Sequence, residues 1–238
     1  GGGIYYDGGT AIITNSAFSG NSADQGGGIF NVPGTLTVTN SAFTLNTSFD
    51  GGGIWNNGGT ATITNSTFSG NSADSTGGGG GGILGFGLTG TLAITNSTFS
   101  GNSAAGGLGG GLRVAAGTAT LRNTIVANST SGGNCSGPTE WITDGGNNID
   151  SGTTCGWGST SGSISSADPL LGALTGSPAY FPLNAGSPAI DGVTFNAPNN
   201  APSTDQRGLA RPQGLRYDIG AIEEIQVTFL LYLPLVMR

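Results

Sequence analysis

Residues 51–71 read GGGIWNNGGTATITNSTFSGN, and close copies of this stretch recur along the first half of the chain. Its opening motif, three glycines followed by Ile or Leu, begins at Gly1, Gly26, Gly51, Gly80 and Gly109. The first two intervals between copies are equal, and the last two are equal to each other and slightly longer. Because self-similarity at a nearly fixed period is the sequence signature of repeat proteins, we expect stacked structural units.

Each unit holds three short extended runs, of the form Gly-Ile-x-x, Ala-x-Ile-Thr and Ser-x-Phe, separated by glycine or asparagine. None of the runs is long enough for a helix. Three strands and three corners make one triangular turn, which cannot bury its apolar side chains alone. The sequence therefore predicts an all-β fold, a right-handed parallel β-helix (β-solenoid) with three short strands per turn of about 25 residues.

Stacking of the turns predicts interior columns and side-chain ladders. The isoleucines after the glycine blocks form one column, which ends at Leu112. A second column contains Phe18, Phe43, Phe68 and Phe99 and is expected to continue at Ile125. Asparagine tolerates the left-handed conformation, and its amide can bond to the equivalent residue in the next turn. One such corner ladder is predicted at Asn15, Asn40, Asn65, Asn96 and Asn123, and another at Asn21, Asn46, Asn71, Asn102 and Asn128.

The regular period divides the chain into four predicted parts. Regular repeats cover residues 1–130, with extra residues near 75–78 and 105–108 expected to form small loops at the glycine corner. Irregular turns are expected over 131–186, a closing module over 187–224, and an apolar strand or sorting tail over 225–238. Cys135 and Cys155 lie in the irregular part with no histidine nearby, so a disulfide is predicted. Two unlinked buried thiols are the alternative.

The amino-acid composition limits the classes of binding partner and the cellular locations that we expect for this protein. The chain has no lysine or histidine, six arginines and a net charge of −7, so we expect neither nucleic acid nor an anionic bilayer surface as a partner. No stretch is apolar enough for a transmembrane span. The chain opens inside a repeat without a methionine, so upstream sequence is expected to have been removed.

Carboxylates in the repeats offer a candidate cation site. Asp24, Asp50 and Asp74 precede three glycine corners, and a vertical row of them could bind Ca²⁺ weakly. A solvated acidic corner is the favoured alternative, and we expect no catalytic residue and no cofactor. The Thr-, Ser- and Asn-rich faces could contact carbohydrate, although β-propensity alone explains the threonine columns.

Two resemblances bear on function. The pairing of Gly-Gly-Gly-Ile with Phe-Ser-Gly-Asn resembles the repeats of chlamydial polymorphic outer membrane proteins and related bacterial β-helix surface proteins. Ser-Pro-Ala-Ile-Asp at 187–191, Thr-Asp-Gln-Arg-Gly at 204–208 and Tyr-Asp-Ile-Gly-Ala at 217–221 resemble the closing region of choice-of-anchor Q domain proteins. The resemblance implies export and residence at a bacterial cell surface or outside the cell, and it supplies no catalytic motif.

The closing module and the tail carry the remaining candidate residues. Asp205, Arg207, Arg211 and Asp218 are expected to form ion pairs that lock the module onto the last turn. The alternative is a carboxylate-containing sugar-binding or catalytic site. In the tail, assembly contacts are expected from Val227, Phe229, Leu231 and Leu233. A strand that packs along its own β-helix is the alternative.

The sequence thus favours an extracellular or surface structural and adhesive protein over an enzyme. Chains are predicted to stack head to tail into a filament, with the apolar tail bridging neighbouring subunits. The predicted partners are therefore the protein itself or cell-surface components. A carbohydrate-binding module and, less favoured, a polysaccharide lyase or hydrolase are the alternatives.

Overall fold

The chain forms a β-solenoid in which each strand pairs with its counterpart in the next turn. The structure, a computed structural model, describes residues 1–194 and 201–226. Four sheets, two of six strands, one of seven and one of four, run along the solenoid, and their strand pairs are parallel. The predicted all-β solenoid with about 25 residues per turn is confirmed.

Sheets A and B form two sides of the turn, and their strands lie in register along the stack. Sheet A contains Ile4–Asp7, Ile29–Val32, Ile54–Asn57, Ile83–Phe86, Leu112–Val114 and Cys135–Ser136. Sheet B contains Thr10–Thr14, Thr35–Thr39, Thr60–Thr64, Thr91–Thr95, Thr118–Arg122 and Ile142–Asp144.

Sheets C and D complete the turn, and sheet D is a correction to the predicted three strands per turn. Sheet C contains Ala17–Ser19, Ala42–Thr44, Thr67–Ser69, Thr98–Ser100, Ile125–Ala127, Ile149–Asp150 and Ile164–Ser165. Sheet D contains Ser22–Gln25, Thr47–Asp50, Ser72–Ala73 and Ser103–Ala104. The first four turns therefore have four short strands. The residues before each fourth strand do form a corner, because Gly20, Leu45, Gly70 and Gly101 have positive φ values. The asparagine that follows bonds along the stack, and the chain then pairs again as the fourth strand.

Helical structure in the described part of the chain is limited to three short 3-10 segments. They are Ala105–Gly107, Thr139–Trp141 and Ser159–Ser161. No helix within residues 1–194 and 201–226 has the length and apolar character needed to cross a membrane.

The triple-glycine corners allow the closest approach between turns. Gly26 adopts a φ of 59°, which a residue with a side chain rarely adopts. Gly28 faces the interior, where an added Cβ would lie 2.5 Å from the carbonyl oxygen of Gly53 and 2.9 Å from Cδ1 of Phe43. Glycine is therefore required at the first position by conformation and at the third by space.

The phenylalanine column on the inner face of sheet C is a continuous ring stack. The ring centroids of Phe43 and Phe68 are 4.7 Å apart and those of Phe68 and Phe99 are 4.5 Å apart. The register pairs Phe99 with Val126, so the expected continuation at Ile125 is wrong by one residue. The fifth unit has two consecutive β-branched residues at this point, and the sequence pattern permits either of them to face inward.

The first asparagine ladder lies at the corner between sheets B and C. Its five members have φ values between 46° and 50°, in the left-handed region. Nδ2 of Asn65 donates to Oδ1 of Asn40 at 3.2 Å, and Nδ2 of Asn123 donates to Oδ1 of Asn96 at 3.1 Å. These amide contacts run parallel to the strand pairing and add side-chain hydrogen bonds to the corner. The ladder is interrupted in its middle, where Oδ1 of Asn65 and Nδ2 of Asn96 have no partner among the described residues.

The second asparagine ladder has four members rather than the five expected. Asn21, Asn46, Asn71 and Asn102 are joined by amide hydrogen bonds of 2.9 Å. Asn128 does not belong to this ladder, because the pairing of Ser100 with Ala127 places it beside Gly101. Its Nδ2 donates instead to Oγ of Ser100 at 3.3 Å.

Asn71→Ala is expected to lower the free energy of unfolding by about 3 kcal/mol, because it leaves several buried groups without partners. Oδ1 of Asn71 accepts from N and Nδ2 of Asn46, and its Nδ2 donates to the carbonyl oxygen of Phe43 at 2.9 Å. Urea denaturation would measure the loss. Asn21 is partly exposed and lies at the end of the ladder, so Asn21→Ala should lower the free energy of unfolding by less than half as much. Equal decreases in the two variants would contradict a stabilising role of the ladder.

The last turn is closed by a disulfide and a buried carboxylate. The predicted bond between Cys135 and Cys155 is present, and both residues are buried. Asp150 continues the interior column below Val126. Its Oδ2 accepts from the backbone N–H of Cys155 at 2.9 Å, and its Oδ1 accepts from Nδ2 of Asn134 at 2.6 Å. This inward carboxylate, which was not predicted from the sequence, positions the loop that carries Cys155.

The double variant Cys135→Ser/Cys155→Ser is expected to lose about 3 kcal/mol of stability. The cross-link closes a loop with a sequence separation of 20, and its removal restores conformational entropy to the unfolded chain. Thermal unfolding with and without reductant would measure the effect. Reductant should lower the Tm of the wild-type protein to that of the double variant. If neither the reductant nor the double substitution lowered the Tm, the prediction would be contradicted.

The segment 201–226 lies along the outside of sheet C, so the expectation that it locks onto the last turn is wrong. Nδ2 of Asn65 donates to the carbonyl oxygen of Thr204 at 2.8 Å, and the backbone N–H of Ala221 donates to Oγ1 of Thr98 at 3.0 Å. One buried apolar cluster joins Ile125, Ala127 and Ile149 of sheet C to Ile219 of this segment. The chain before the segment adds Leu183, Ala189 and Val193 to the same cluster. The outward side chains of sheet C become apolar in the later turns, which gives the segment a lateral surface on which to pack.

Candidate functional site

The charged residues of the closing segment form two ion pairs, and only one joins residues predicted to pair. Arg207 binds Asp205 at 2.7 Å. Arg211 binds Glu223 at 2.9 Å, and Glu223 was not among the residues predicted to pair. The carboxylate of Asp218 accepts the backbone N–H groups of Asp191 and Glu224 instead of joining an ion pair.

Arg211 is the central residue of this cluster. Its side chain and that of Glu223 are fully buried. Nη2 donates to the carbonyl oxygen of Gly220 at 2.9 Å, and Nη1 donates to that of Asp218 at 3.1 Å. Burial lowers the pKa of Arg211, while the neighbouring carboxylates act in the opposite direction. Because its charge and both terminal nitrogens are engaged within the protein, the cluster has the properties of a structural lock.

The three predicted calcium-site residues do not form one row. The register pairs Gln25 with Asp50 and Ser48 with Ala73, so Asp24 and Asp74 flank Phe49 while Asp50 lies in the next column. Asp50 comes one position later in its repeat than the other two aspartates do in theirs, which shifts the middle carboxylate. Within residues 1–194 and 201–226, no group of three His, Cys, Asp or Glu side chains is placed to hold a metal ion.

The outer face of sheet A carries a column of aromatic side chains. The ring centroids of Tyr5 and Phe30 are 5.5 Å apart, and those of Phe30 and Trp55 are 4.7 Å apart. Phe86 meets Trp55 edge to face, with 6.3 Å between centroids and an interplanar angle of 78°. These rings point outward because Ile29 and Ile54, their neighbours along the strands, point into the core.

Beside this column lies a groove of about 560 Å³, which we call the aromatic groove. Leu84 and Trp55 contribute its most deeply buried side chains, whereas Phe86 is 45% exposed. Asp50, Asn57 and Arg113 add polar groups to the lining. The volume and the mixture of aromatic and polar groups are typical of small-molecule sites.

One wall of the aromatic groove comes from the extra residues of the third unit. Nη1 of Arg113 donates to the carbonyl oxygens of Gly77, at 2.9 Å, and Gly78. Burial lowers the pKa of Arg113, and the charge of Asp50 opposes this shift. The guanidinium therefore fastens the inserted loop 75–78 to sheet A.

Two buried polar atoms of the aromatic groove have no hydrogen-bond partner within the described residues. They are Nε1 of Trp55, a donor, and Oδ1 of Asp50, an acceptor. Trp55 is only 8% exposed. Both atoms are sealed from solvent by the groups packed around them, so a ligand in the groove does not reach them.

This groove was not predicted from the sequence, although the residues of its aromatic column recur with the repeat. Tyr5, Phe30 and Trp55 occupy the same position of successive repeats, directly after the inward isoleucine. Large aromatics that recur at an outward position of a parallel sheet stack on one another across neighbouring strands. The position of the loop that completes the groove depends on the tertiary structure.

Comparison of the chain with protein-family models, curated proteins and solved structures finds no match. The resemblances to polymorphic outer membrane proteins and to choice-of-anchor Q proteins therefore stay predictions. The structure defines the class as a β-solenoid with a lateral closing segment and an open aromatic groove.

Proposed function

We propose that this protein is an exported structural and adhesive β-solenoid, located at a bacterial cell surface or outside the cell. The observation that carries the proposal is the continuity of the stack, in which the Phe43–Phe68–Phe99 rings and the Asn46–Asn71 amides repeat from turn to turn. Such a stack makes a stiff rod with long exposed faces, which suits a spacer or a display surface.

The disulfide supports export. Cys135 and Cys155 are joined, and the structure contains no free cysteine among the described residues. Disulfides persist mainly in oxidising compartments such as the periplasm and the cell exterior. The resemblance of 187–224 to the closing region of exported surface proteins points in the same direction.

A role without catalysis is supported by the way the buried carboxylates are used. Asp150, Asp205 and Glu223 are fully buried, and each accepts hydrogen bonds from backbone N–H groups. Carboxylates held in this way maintain local structure and are poorly placed to exchange protons with a substrate. The proposal accordingly assigns no catalytic residue and no resident cofactor.

Self-assembly is part of the proposal and concerns a region outside the described residues. The tail residues Val227, Phe229, Leu231 and Leu233 all lie there. The apolar, β-prone composition of this stretch favours an extended strand that pairs with a sheet edge. In the proposed filament, the tail of one chain bridges to the solenoid of the next.

Negative-stain electron microscopy of the purified chain tests assembly. The wild-type protein should form thin fibres at high concentration. A chain lacking residues 225–238 should remain as short rods, as should one in which all four tail residues are replaced by serine. Fibres from both variants would remove the tail from the proposal, and dispersed wild-type rods would restrict it to a monomeric adhesin.

Location and catalysis need separate measurements. Antibody labelling of intact producing cells, before and after external protease, should show the protein at the surface, and labelling only after lysis would contradict export. Incubation with soluble polysaccharides should release no unsaturated or reducing sugars. Release by the purified protein would overturn the non-catalytic assignment.

A further inference from the structure

We propose that the outer face of sheet B binds the surface of ice. The inference adds a function to the structural and adhesive role proposed above. It rests on the geometry of sheet B alone, so it holds or fails independently of export and filament formation. The ligand is a regular lattice of water molecules, and the face offers a matching lattice of side chains on a flat surface almost free of charge.

Threonine dominates the outer face of sheet B. In its first five strands, the first, third and fifth residues face outward, because the second and fourth pack into the core. Every outward position is threonine except Ile12, Ala93 and Arg122. The register pairs each outward residue with its equivalent in the next turn. The face therefore consists of three parallel columns of small side chains.

The columns are straight because successive turns hardly rotate. The planes of consecutive core rings from Phe18 to Phe99 differ by only 3°, 2° and 4°. Adjacent strands of an ordinary sheet are rotated by roughly 20–25°, so these small angles indicate a nearly untwisted stack. A face that does not twist can lie against one crystal plane over several strands.

The spacing of the columns matches ice in two directions. Along the stack, the centroids of consecutive core rings are 4.7, 4.7 and 4.5 Å apart. Along a strand, outward residues two positions apart are separated by about 6.6 Å. Water oxygens on a prism face of hexagonal ice repeat in perpendicular directions at distances close to these two. Waters bound to the threonines can therefore occupy positions of the ice lattice.

The face is open to solvent and presents the same pair of groups throughout. Thr60, Thr62 and Thr120 are exposed, and the closing segment 201–226 lies along sheet C instead. Oγ1 of Thr91 donates to Oγ1 of Thr60 at 3.2 Å, which leaves acceptor sites on these hydroxyls for water. The hydroxyls anchor ordered waters, and the adjacent methyl groups restrict the orientations of the waters around them.

The strand preference of threonine does not account for this face by itself. Aromatic residues share that preference, and the outer face of sheet A carries Tyr5, Phe30 and Trp55. The outward positions in the first four strands of sheet B contain no aromatic and no charged residue. A sugar ring packs best on an aromatic ring and an ion needs an opposite charge, so the face lacks the groups that recognise either ligand.

Nanolitre osmometry of the purified protein tests the inference. The wild-type protein should hold a seeded ice crystal without growth below its melting point, and the crystal should become faceted. It should also be taken up into an ice shell grown slowly from buffer. Equal freezing and melting points, unfaceted crystals and exclusion from the ice shell would overturn the inference.

Three variants locate the ice-binding surface. Thr62→Tyr places a bulky ring at the centre of the face, in a residue type that strands favour, and should abolish the gap between freezing and melting points. Thr153→Tyr is the matched control, because Thr153 is an exposed threonine outside sheet B, and its gap should equal that of the wild type. Arg122→Thr removes the charge from the fifth strand and should widen the gap.

The variants also supply the results that contradict the inference. An unchanged gap in Thr62→Tyr, equal losses in Thr62→Tyr and Thr153→Tyr, or a narrower gap in Arg122→Thr would place any ice contact elsewhere. Retention on crystalline cellulose or chitin that Thr62→Tyr abolishes, without any effect on ice, would assign the face to a polysaccharide instead. Circular dichroism of each variant verifies that the solenoid is intact.

The outcome is separable from that of the proposed function. Surface labelling and electron microscopy of Thr62→Tyr should match the wild type, because the substituted face takes no part in export or in the tail contact. Loss of the ice effect with normal location and assembly therefore reports on sheet B alone.

Discussion

Phe68→Ala is expected to lower the free energy of unfolding by about 4 kcal/mol. The Phe68 ring is fully buried and lies between the rings of Phe43 and Phe99, with centroid distances of 4.7 and 4.5 Å. Removing it exposes a cavity lined by two aromatic faces and breaks the stack at its middle. Because each turn contacts only its neighbours, the cavity also weakens the coupling between the two halves of the solenoid.

Chemical denaturation followed by circular dichroism measures this effect. Phe49→Ala serves as the control, since an aromatic that is 60% exposed should lose no more than about 0.5 kcal/mol. A second, earlier transition in the Phe68→Ala protein would show that the two halves unfold separately. A loss of less than about 1 kcal/mol would contradict the continuous stack.

Arg211→Met is expected to destabilise the closing segment by about 4 kcal/mol, because it leaves the buried carboxylate of Glu223 without its counterion. The change also removes the donors that the guanidinium directs to the carbonyl oxygens of Asp218 and Gly220. Methionine retains much of the side-chain volume, so the loss reports on charge and hydrogen bonding rather than on a cavity. The segment is expected to detach from sheet C while the solenoid stays folded.

Hydrogen exchange distinguishes local detachment from global unfolding. Backbone amides over 201–226 should lose protection in Arg211→Met, whereas amides of Thr60–Thr64 in sheet B should keep it. Arg216→Met, at an exposed arginine of the same segment, is the matched control and should leave both sets unchanged. Unchanged protection over 201–226 in Arg211→Met would show that the ion pair is dispensable for docking.

The groove lies where the repeat is interrupted. The shorter units build plain turns, whereas the loop 75–78 belongs to the first of the longer units, which begins at Gly51. That loop bonds to Arg113 and forms a wall beside Trp55. Insertions into a solenoid leave the core stacking intact, so they are the places where a specific site can develop.

Much of the solenoid follows from local sequence because its contacts repeat. An inward residue meets the equivalent residue one turn away, so the repeat period predicted the isoleucine and phenylalanine columns. The positive φ values of Asn15 and its equivalents follow from the same period and from the tolerance of asparagine for that region. The fold class could therefore be predicted from the sequence before any tertiary contact was known.

The predictions made from the sequence were wrong where the repeat loses its regularity. With two consecutive β-branched residues in the fifth unit, the pattern permitted Ile125 or Val126 to face inward, and only strand pairing decided for Val126. The later position of Asp50 within its own repeat likewise moved this carboxylate out of the predicted row. A shift of one residue reverses the face on which a side chain lies, and a period alone does not detect it.

The sequence by itself determined the stacked parallel strands, the glycine corners and the disulfide, because each depends on a short repeated motif or on a single pair of residues. Tertiary structure alone decided that 201–226 packs along sheet C, that Arg211 pairs with Glu223, and that Arg113 fastens a loop beside Trp55. Those contacts join segments with no shared period. Their geometry is set by which surfaces remain apolar or unpaired after the turns have stacked.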